Sequence, residues 1–125
     1  MSPSKLYHYK AYVTRVHTGD SCRADLDLGM GVWVRGIEIH LHRLQAPELK
    51  GSTRAAGTAA RDYLRELILD REVLLRTIMD RSGKPGHYLG EMTVVTESGE
   101  TYNVIEALVE VGHATYKEAP DLSPA

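Results

Sequence analysis

The feature that most constrains this chain is the regular alternation of apolar and polar residues in its N-terminal third. Apolar side chains recur at every second position in three successive segments, Tyr7–Val16, Ala24–Leu28 and Val32–Leu44. Successive side chains of a β-strand point to opposite faces, so this spacing predicts three strands that each bury one face. Glycine-containing turns separate the segments, at Thr18–Ser21 and Gly29–Gly31. We therefore expect three strands joined by short connections.

After Pro47 the apolar residues change to helical spacing and later return to strand spacing. Asn103, with Glu106 three residues further on, forms a capping pattern that opens a helix. Gly112 stands where a helix commonly stops. The predicted elements of this part are a helix over about 53–70 with Ser52 or Thr53 as its N-cap, strands at Glu72–Met79 and His87–Val95, and a helix over 103–112.

The resulting order is three strands, a helix, two strands and a helix. Closing such a sheet on itself removes its exposed edges, so a short barrel is the natural architecture. We predict a mainly β (α+β) domain, a small five-stranded barrel of the oligonucleotide-binding (OB) type with two or three helices. We expect it to span residues 7–117, between flexible ends at 1–6 and 118–125.

Composition limits the function classes that are open to the chain. Its 125 residues suffice for one domain, and its formal net charge is −2. Proteins that grip long duplex DNA non-specifically usually carry a basic excess, so any nucleic-acid site here must be local. Cys22 is the single cysteine, and no stretch resembles a signal peptide or a membrane-spanning helix. We therefore expect a cytoplasmic protein without membrane attachment.

Four parts of the sequence together resemble the staphylococcal nuclease (thermonuclease) family. Each resembles a family motif, and they follow one another in the family order between about Tyr9 and Tyr116. They are the turn Val16–Ser21, the pair Leu28–Trp33 and Leu44–Glu48, the loop Gly83–Gly90, and the late helix Asn103–Ala114. The resemblance implies the barrel of that family, and it leaves out the family's long C-terminal helix.

The resemblance also implies a site, which is altered here. The family cleaves nucleic-acid phosphodiester bonds with one calcium ion, using two aspartates, a glutamate and two arginines. Asp20 stands at the first aspartate and Glu48 at the glutamate, but Gln45 replaces the second aspartate. His40 and His87 replace the two arginines that clamp the phosphate. The implied metal positions are thus Asp20, Gln45 and Glu48, and the implied catalytic positions are Glu48, His40 and His87.

These replacements predict the loss of the calcium-dependent reaction. A histidine is mostly neutral at pH 7 and cannot reproduce a permanent bidentate cation. Gln45 keeps a carbonyl oxygen but loses the negative charge that calcium favours. We therefore expect a pseudonuclease that binds nucleic acid or a nucleotide through the family groove. Lys84 and Tyr116 are further candidates for ligand contact, since Lys84 could contact a phosphate and the resemblance places Tyr116 near the substrate.

Two other functions are compatible with the same residues. In the first, His40 and His87 join Asp20 and Glu48 around zinc or manganese and rebuild a metal-dependent phosphodiesterase. Within that hypothesis a histidine could also act directly as a general acid or base. In the second, the barrel binds a partner protein. The sequence does not decide whether the protein is an enzyme.

Overall fold

A computed structural model describes residues 8–78 and 86–116 of the chain. Eight strands, two α-helices and one short 3₁₀ helix, Gly51–Thr53, lie in these ranges. The strands are β1 His8–Thr18, β2 Ser21–Gly29, β3 Val32–Leu41, β4 Leu44–Gln45, β5 Glu72–Ile78, β6 His87–Val95, β7 Thr101–Asn103 and β8 Thr115–Tyr116. The helices are α1 Arg54–Ile68 and α2 Val104–Glu110.

Five of the strands close into a barrel of mixed direction. Strand β1 pairs with β2 and with β5, β2 pairs with β3, and β5 pairs with β6, all antiparallel. The parallel pairing of β3 with β6 closes the ring. Strand β7 extends β6 at its far edge, and β4 pairs with β8 in a separate two-stranded sheet. The predicted mainly β class, with a closed five-stranded barrel and two helices, is confirmed.

The alternation in the sequence determines which side chains fill the barrel. On β3, Ile37, Ile39 and Leu41 are buried, whereas Glu38 and His40 between them point outward. The closing strand β6 follows the same rule. Helix α1 covers one end of the core with an apolar stripe at helical spacing. That stripe consists of Gly57, Ala60, Leu64 and Ile68.

The end of the third strand differs most from the sequence prediction. The third strand was expected to continue to Leu44, but it ends at Leu41. Arg43 adopts a left-handed conformation with φ of 55°, which a continuing strand cannot contain. The backbone therefore turns, and Leu44 begins β4 opposite Tyr116. The pairs made by β4, β7 and β8 involve only two or three residues each, too few to give a periodic signal.

The second helix is capped as its sequence predicts. The Asn103 side chain accepts a hydrogen bond of 3.1 Å from the Glu106 amide. At the other end Gly112 has φ of 83°, and the His113 amide donates to the Leu108 carbonyl at 3.0 Å. This is the left-handed glycine stop that helices commonly use.

The start of helix α1 differs in detail from the prediction. Thr53 is its N-cap residue, but the Thr53 side chain makes no capping bond. Its hydroxyl donates instead to the carbonyls of Glu48 and Lys50, at 2.9 and 3.1 Å. The hydroxyl thus ties the helix to the loop that precedes it. Within the described ranges, no helix combines the length and the apolar character needed to cross a lipid bilayer.

Candidate functional site

Asp20 lies in the tight turn between β1 and β2, and hydrogen bonds hold both of its carboxylate oxygens. The Thr18 hydroxyl donates to Oδ1 at 2.7 Å, and the Ala46 amide donates to Oδ2 at 3.1 Å. The Asp20 carbonyl in turn accepts from the Leu41 amide at 2.9 Å. Asp20 therefore links the β1–β2 turn to the end of β3 and to the loop that follows β4.

Close packing fixes the same turn from behind. Gly19 is buried, and a Cβ atom placed on it would lie 2.7 Å from the Ala60 Cβ and 2.8 Å from the Ala46 Cβ. Both distances are well below van der Waals contact, so only glycine fits between helix α1 and the loop after β4. The turn is thereby pressed against the helix, and Asp20 is presented at the barrel surface.

His40 and His87 meet across the seam that closes the barrel. His40 lies on β3 opposite Leu89, and His87 is the first residue of β6, opposite Glu38. Their rings are nearly parallel, with an interplanar angle of 18° and a centroid separation of 6.0 Å. His40 is exposed and His87 is half-buried. Neither imidazole forms a hydrogen bond with another residue in the described ranges.

A small pocket beside this pair contains Asp20 and His40. Its volume is about 250 Å³. Arg43 lines the same pocket and forms no ion pair with any residue in the described part of the chain. The remaining walls are the apolar side chains of Leu41, Leu44 and Leu89. The pocket therefore offers one carboxylate, one permanent cation and one imidazole on an otherwise apolar floor, and the His87 ring lies next to that imidazole, with 6.0 Å between the ring centroids.

Arg43 was not singled out from the sequence. It matches neither arginine position of the resembled family, and it follows the strand, where periodicity carries no information. The turn with positive φ places its side chain at the pocket that contains Asp20 and His40. Met30 and Asp70 share this left-handed conformation, so the pocket lining and not the φ angle distinguishes Arg43.

Glu38 forms a charged cluster next to His87. Its carboxylate accepts from Arg23 Nε at 2.6 Å and is 2.8 Å from His17 Nε2. Burial alone would raise the pKa of Glu38, but the hydrogen bond from Arg23 and the interactions with His17 outweigh it and lower that pKa. Glu38, which lies opposite His87 in the β3–β6 pairing, is therefore already paired with Arg23 and His17. His17, which lies outside the four residues predicted to converge, supports this cluster.

Gln45 and Glu48, two further candidate positions, are not among the residues that line this pocket. Gln45 is exposed on β4 opposite Thr115, and Glu48 is exposed in the loop before helix α1. Gly57 packs directly against the Glu48 backbone, leaving no room for a Cβ atom there. Lys84 lies outside the described residues.

Tyr116 lines a second pocket of about 440 Å³, together with His42, Arg43 and Arg76. Arg76 forms an ion pair of 3.1 Å with Glu91. The Nδ1 atom of His42 is buried and has no hydrogen-bond partner among the described residues. Burial, together with the positive charge of Arg43, lowers the pKa of His42, although Glu91 acts in the opposite direction. Arg43 is thus shared between the two pockets.

A metal ion has no ready set of ligands in the described ranges. No group of three or more His, Cys, Asp or Glu side chains is arranged there to hold an ion. Both oxygens of Asp20 already accept hydrogen bonds from the protein. We therefore derive no chemical step through a metal, and a zinc, manganese or calcium ion stays a prediction.

Cys22 offers no alternative nucleophile. Burial, with a smaller effect from the Glu38 charge, raises the pKa of Cys22 to about 12. Reactive cysteines need the thiolate form, which such a buried thiol does not supply near neutral pH.

The chain was compared with family models and with curated proteins, and neither comparison gave a match.

Proposed function

We propose that this protein binds nucleic acid or a nucleotide through the groove formed by Asp20, His40, Arg43 and His87, and that it lacks calcium-dependent nuclease activity. The observation that carries the proposal is the meeting of His40 and His87 at the barrel seam, 6.0 Å apart. These are the two positions at which the resembled family has its phosphate-binding arginines. Separate parts of the sequence therefore supply polar groups to one surface.

The connectivity of the barrel supports this proposal. Oligonucleotide-binding barrels use the face of strands 2 and 3 and the loops between strands 1 and 2 and between strands 4 and 5. Asp20 lies in the β1–β2 turn and His40 on β3. His87 directly follows the connection between β5 and β6, the fourth and fifth strands of the closed ring. We propose on this basis that the barrel is of the OB type seen in the staphylococcal nuclease family.

The chemistry of the groove suits a phosphate group. Arg43 supplies a permanent charge and a fork of donors, and an imidazolium donates from both ring nitrogens. The pairing of Glu38 with Arg23 and His17 reduces the repulsion that a phosphate near His87 would meet. Since the whole chain carries a net charge of −2, attraction must come from this local cluster and not from the overall charge.

The same groove lacks the groups for calcium-dependent cleavage. An arginine at a phosphoryl-transfer transition state can be worth about 10³–10⁵ in rate. Both positions carry histidine here, and Gln45 is neutral and outside the pocket. We expect plasmid and oligonucleotide digests in excess calcium to show very slow or no cleavage of DNA.

The test is a titration of fluorescently labelled DNA strands in the presence of a chelator, followed by anisotropy. We expect His40→Ala, His87→Ala and Arg43→Ala each to weaken binding several-fold, and raised salt to weaken it further. The matched control is His8→Ala. His8 is an exposed histidine on β1, where it lies opposite Arg76 of β5. Affinity that is equal in all four variants, or no binding at all, would overturn the proposal.

A further inference from the structure

We propose that the His40–His87 pair cleaves RNA by transphosphorylation, with the ribose 2′-hydroxyl as the nucleophile. This inference rests on the proposed function, because the strand must first occupy the groove. It goes beyond it by naming RNA as the substrate and an acid–base reaction as the chemistry.

The spacing of the two rings suits a single phosphodiester. The ring centroids are 6.0 Å apart, and each ring nitrogen lies close to its own centroid. Imidazole hydrogen bonds lie in the plane of the ring, so a phosphate beside the pair can receive one bond of about 2.8 Å from each ring, one at the attacking oxygen and one at the leaving oxygen. Because the rings are nearly parallel, their nitrogen edges can face the same phosphate from one side of the seam.

Both imidazoles are available for proton transfer. Neither has a hydrogen-bond partner within the described ranges, whereas His17 is held by Glu38 at 2.8 Å. His42 faces the second pocket. A general base or acid must have a nitrogen that can reach the reacting proton, and these two histidines satisfy that requirement. The pair is distinguished by its geometry, since His40 and His87 are the two histidines of the described ranges whose rings lie against each other.

The reaction balances without any further reagent. One imidazole accepts the proton of the 2′-hydroxyl while the 2′-oxygen forms a bond to phosphorus. The bond from phosphorus to the 5′-oxygen breaks, and the other ring, as imidazolium, gives its proton to that oxygen. The products are a 2′,3′-cyclic phosphate and a free 5′-hydroxyl, and proton exchange with water restores the two rings. DNA lacks the 2′-hydroxyl and cannot react in this way.

The neighbouring charges suit the transition state. Negative charge grows on the non-bridging phosphate oxygens as the 2′-oxygen attacks, and a fixed cation beside them lowers the barrier. Arg43 lines the pocket next to His40 and has no ion-pair partner in the described ranges, so its charge remains available. Asp20 lies in the same pocket, with both oxygens turned to protein donors.

In the experiment the full-length protein is incubated, in the presence of a chelator, with oligonucleotides of one sequence made as RNA, 2′-O-methyl RNA and DNA. We expect cleavage of the RNA strand alone, with 2′,3′-cyclic phosphate ends identified by mass spectrometry. His40→Ala and His87→Ala should each lower the rate by about 10²–10⁴, and the double variant should lower it little further. His8→Ala should keep the full rate, and the loss of rate in the two other variants, purified in the same way, excludes a contaminating ribonuclease.

A second substrate separates the two roles. An RNA strand with sulfur in place of the bridging 5′-oxygen has a leaving group that needs no proton. One of the two single variants, the one lacking the acid, should recover most of its rate on this strand. The other should stay slow because its base is missing. Rescue of neither variant would overturn the assignment of an acid and a base to this pair.

The outcomes distinguish this inference from the proposed function. Binding of the 2′-O-methyl strand without cleavage of RNA would overturn the inference and leave the binding function in place. Cleavage that persists when both histidines are replaced would also overturn it. Failure to bind any of the three strands would contradict the proposed function itself.

Discussion

The turn that carries Asp20 and the seam that carries His40 and His87 are adjacent, yet they are built in different ways. Asp20 is held by two hydrogen bonds to its side chain and two to its backbone, behind a glycine pressed against helix α1. The two histidines have no hydrogen bonds in the described ranges. Asp20 therefore has a structural role in the turn, whereas the described contacts of the two histidines leave their ring nitrogens open to a ligand.

The largest effect should come from rebuilding the seam. His40→Arg, Gln45→Asp and His87→Arg together restore the charges that the resembled family uses. We expect the triple variant to gain calcium-dependent DNA cleavage of at least tenfold over the parent, measured by digestion of a labelled oligonucleotide. Since catalytic groups act as a unit, Gln45→Asp alone and the double arginine variant should gain much less. A correctly folded but inactive triple variant would mean that the groove itself has been reshaped.

Removal of the Asp20 side chain should instead destabilise the fold. Asp20→Ala leaves the Ala46 amide without its partner and removes a charge-assisted bond. We expect a loss of about 1.5–3 kcal/mol in the free energy of unfolding, measured in urea. Asp62→Ala is the control, because Asp62 forms only exposed ion pairs on helix α1 and should cost well under 1 kcal/mol. Equal losses in the two variants would contradict a structural role for Asp20.

The Glu38 cluster should make stability depend on acid. The pKa of Glu38 is lowered in the folded state, so its contribution is present above the ordinary value of 4.5 and is lost as the pH falls through the lower folded value. Glu38→Gln should therefore unfold at a lower temperature than the parent at pH 6, and the gap should shrink towards pH 3. A difference in melting temperature that stays constant over this pH range would argue against a lowered pKa of Glu38 in the folded state.

His42 should also make the protein less stable as the pH falls, but by a smaller amount than Glu38. Burial lowers its pKa below 6.5, so the unfolded chain binds a proton that the folded chain does not. The resulting loss of stability begins as the pH falls below 6.5 and ends below the folded value. His42→Phe, which also removes the buried unpartnered Nδ1, should flatten this part of the melting-temperature profile, whereas the exposed control His8→Phe should not.

The smallest change in stability is expected when the two histidines of the seam are removed. The His40→Ala, His87→Ala double variant should change the free energy of unfolding by less than about 0.5 kcal/mol, since it removes no hydrogen bond between described residues. The same protein should show the loss of binding described above. A large loss of stability would show that the stacked rings support the barrel, and would remove the contrast with Asp20.

Much of the fold was predictable because it follows from periodicity. Buried Ile37, Ile39 and Leu41 and the caps of helix α2 are local consequences of the sequence. The bend at Arg43 was not predictable, because a left-handed arginine has no sequence signature. The parallel contact between β3 and β6 was also invisible, since it joins segments that are far apart in the chain.

The candidate site was predictable only in part. The meeting of His40 with His87 came from a resemblance and not from spacing. Asp20 and His40 share a pocket as that resemblance implies, but Gln45 and Glu48 do not line it. Arg43 and the Glu38 cluster depend on the direction of side chains at a turn and across strands, which the sequence pattern does not encode. Lys84 lies outside the described residues, and its role stays a prediction.

The parallel closure of the barrel has a consequence for folding kinetics. Helix α1 and β5 lie between β3 and β6 in the chain, and an even longer stretch separates β1 from its partner β5. Non-local contacts of this kind form late, because chain entropy must be lost before they contribute. We therefore expect the two histidines to come together late in assembly, after the local β1–β2, β2–β3 and β5–β6 pairs. A partly folded chain would carry both residues but no groove, so ligand should slow amide exchange in β3 and β6 more than elsewhere in the barrel.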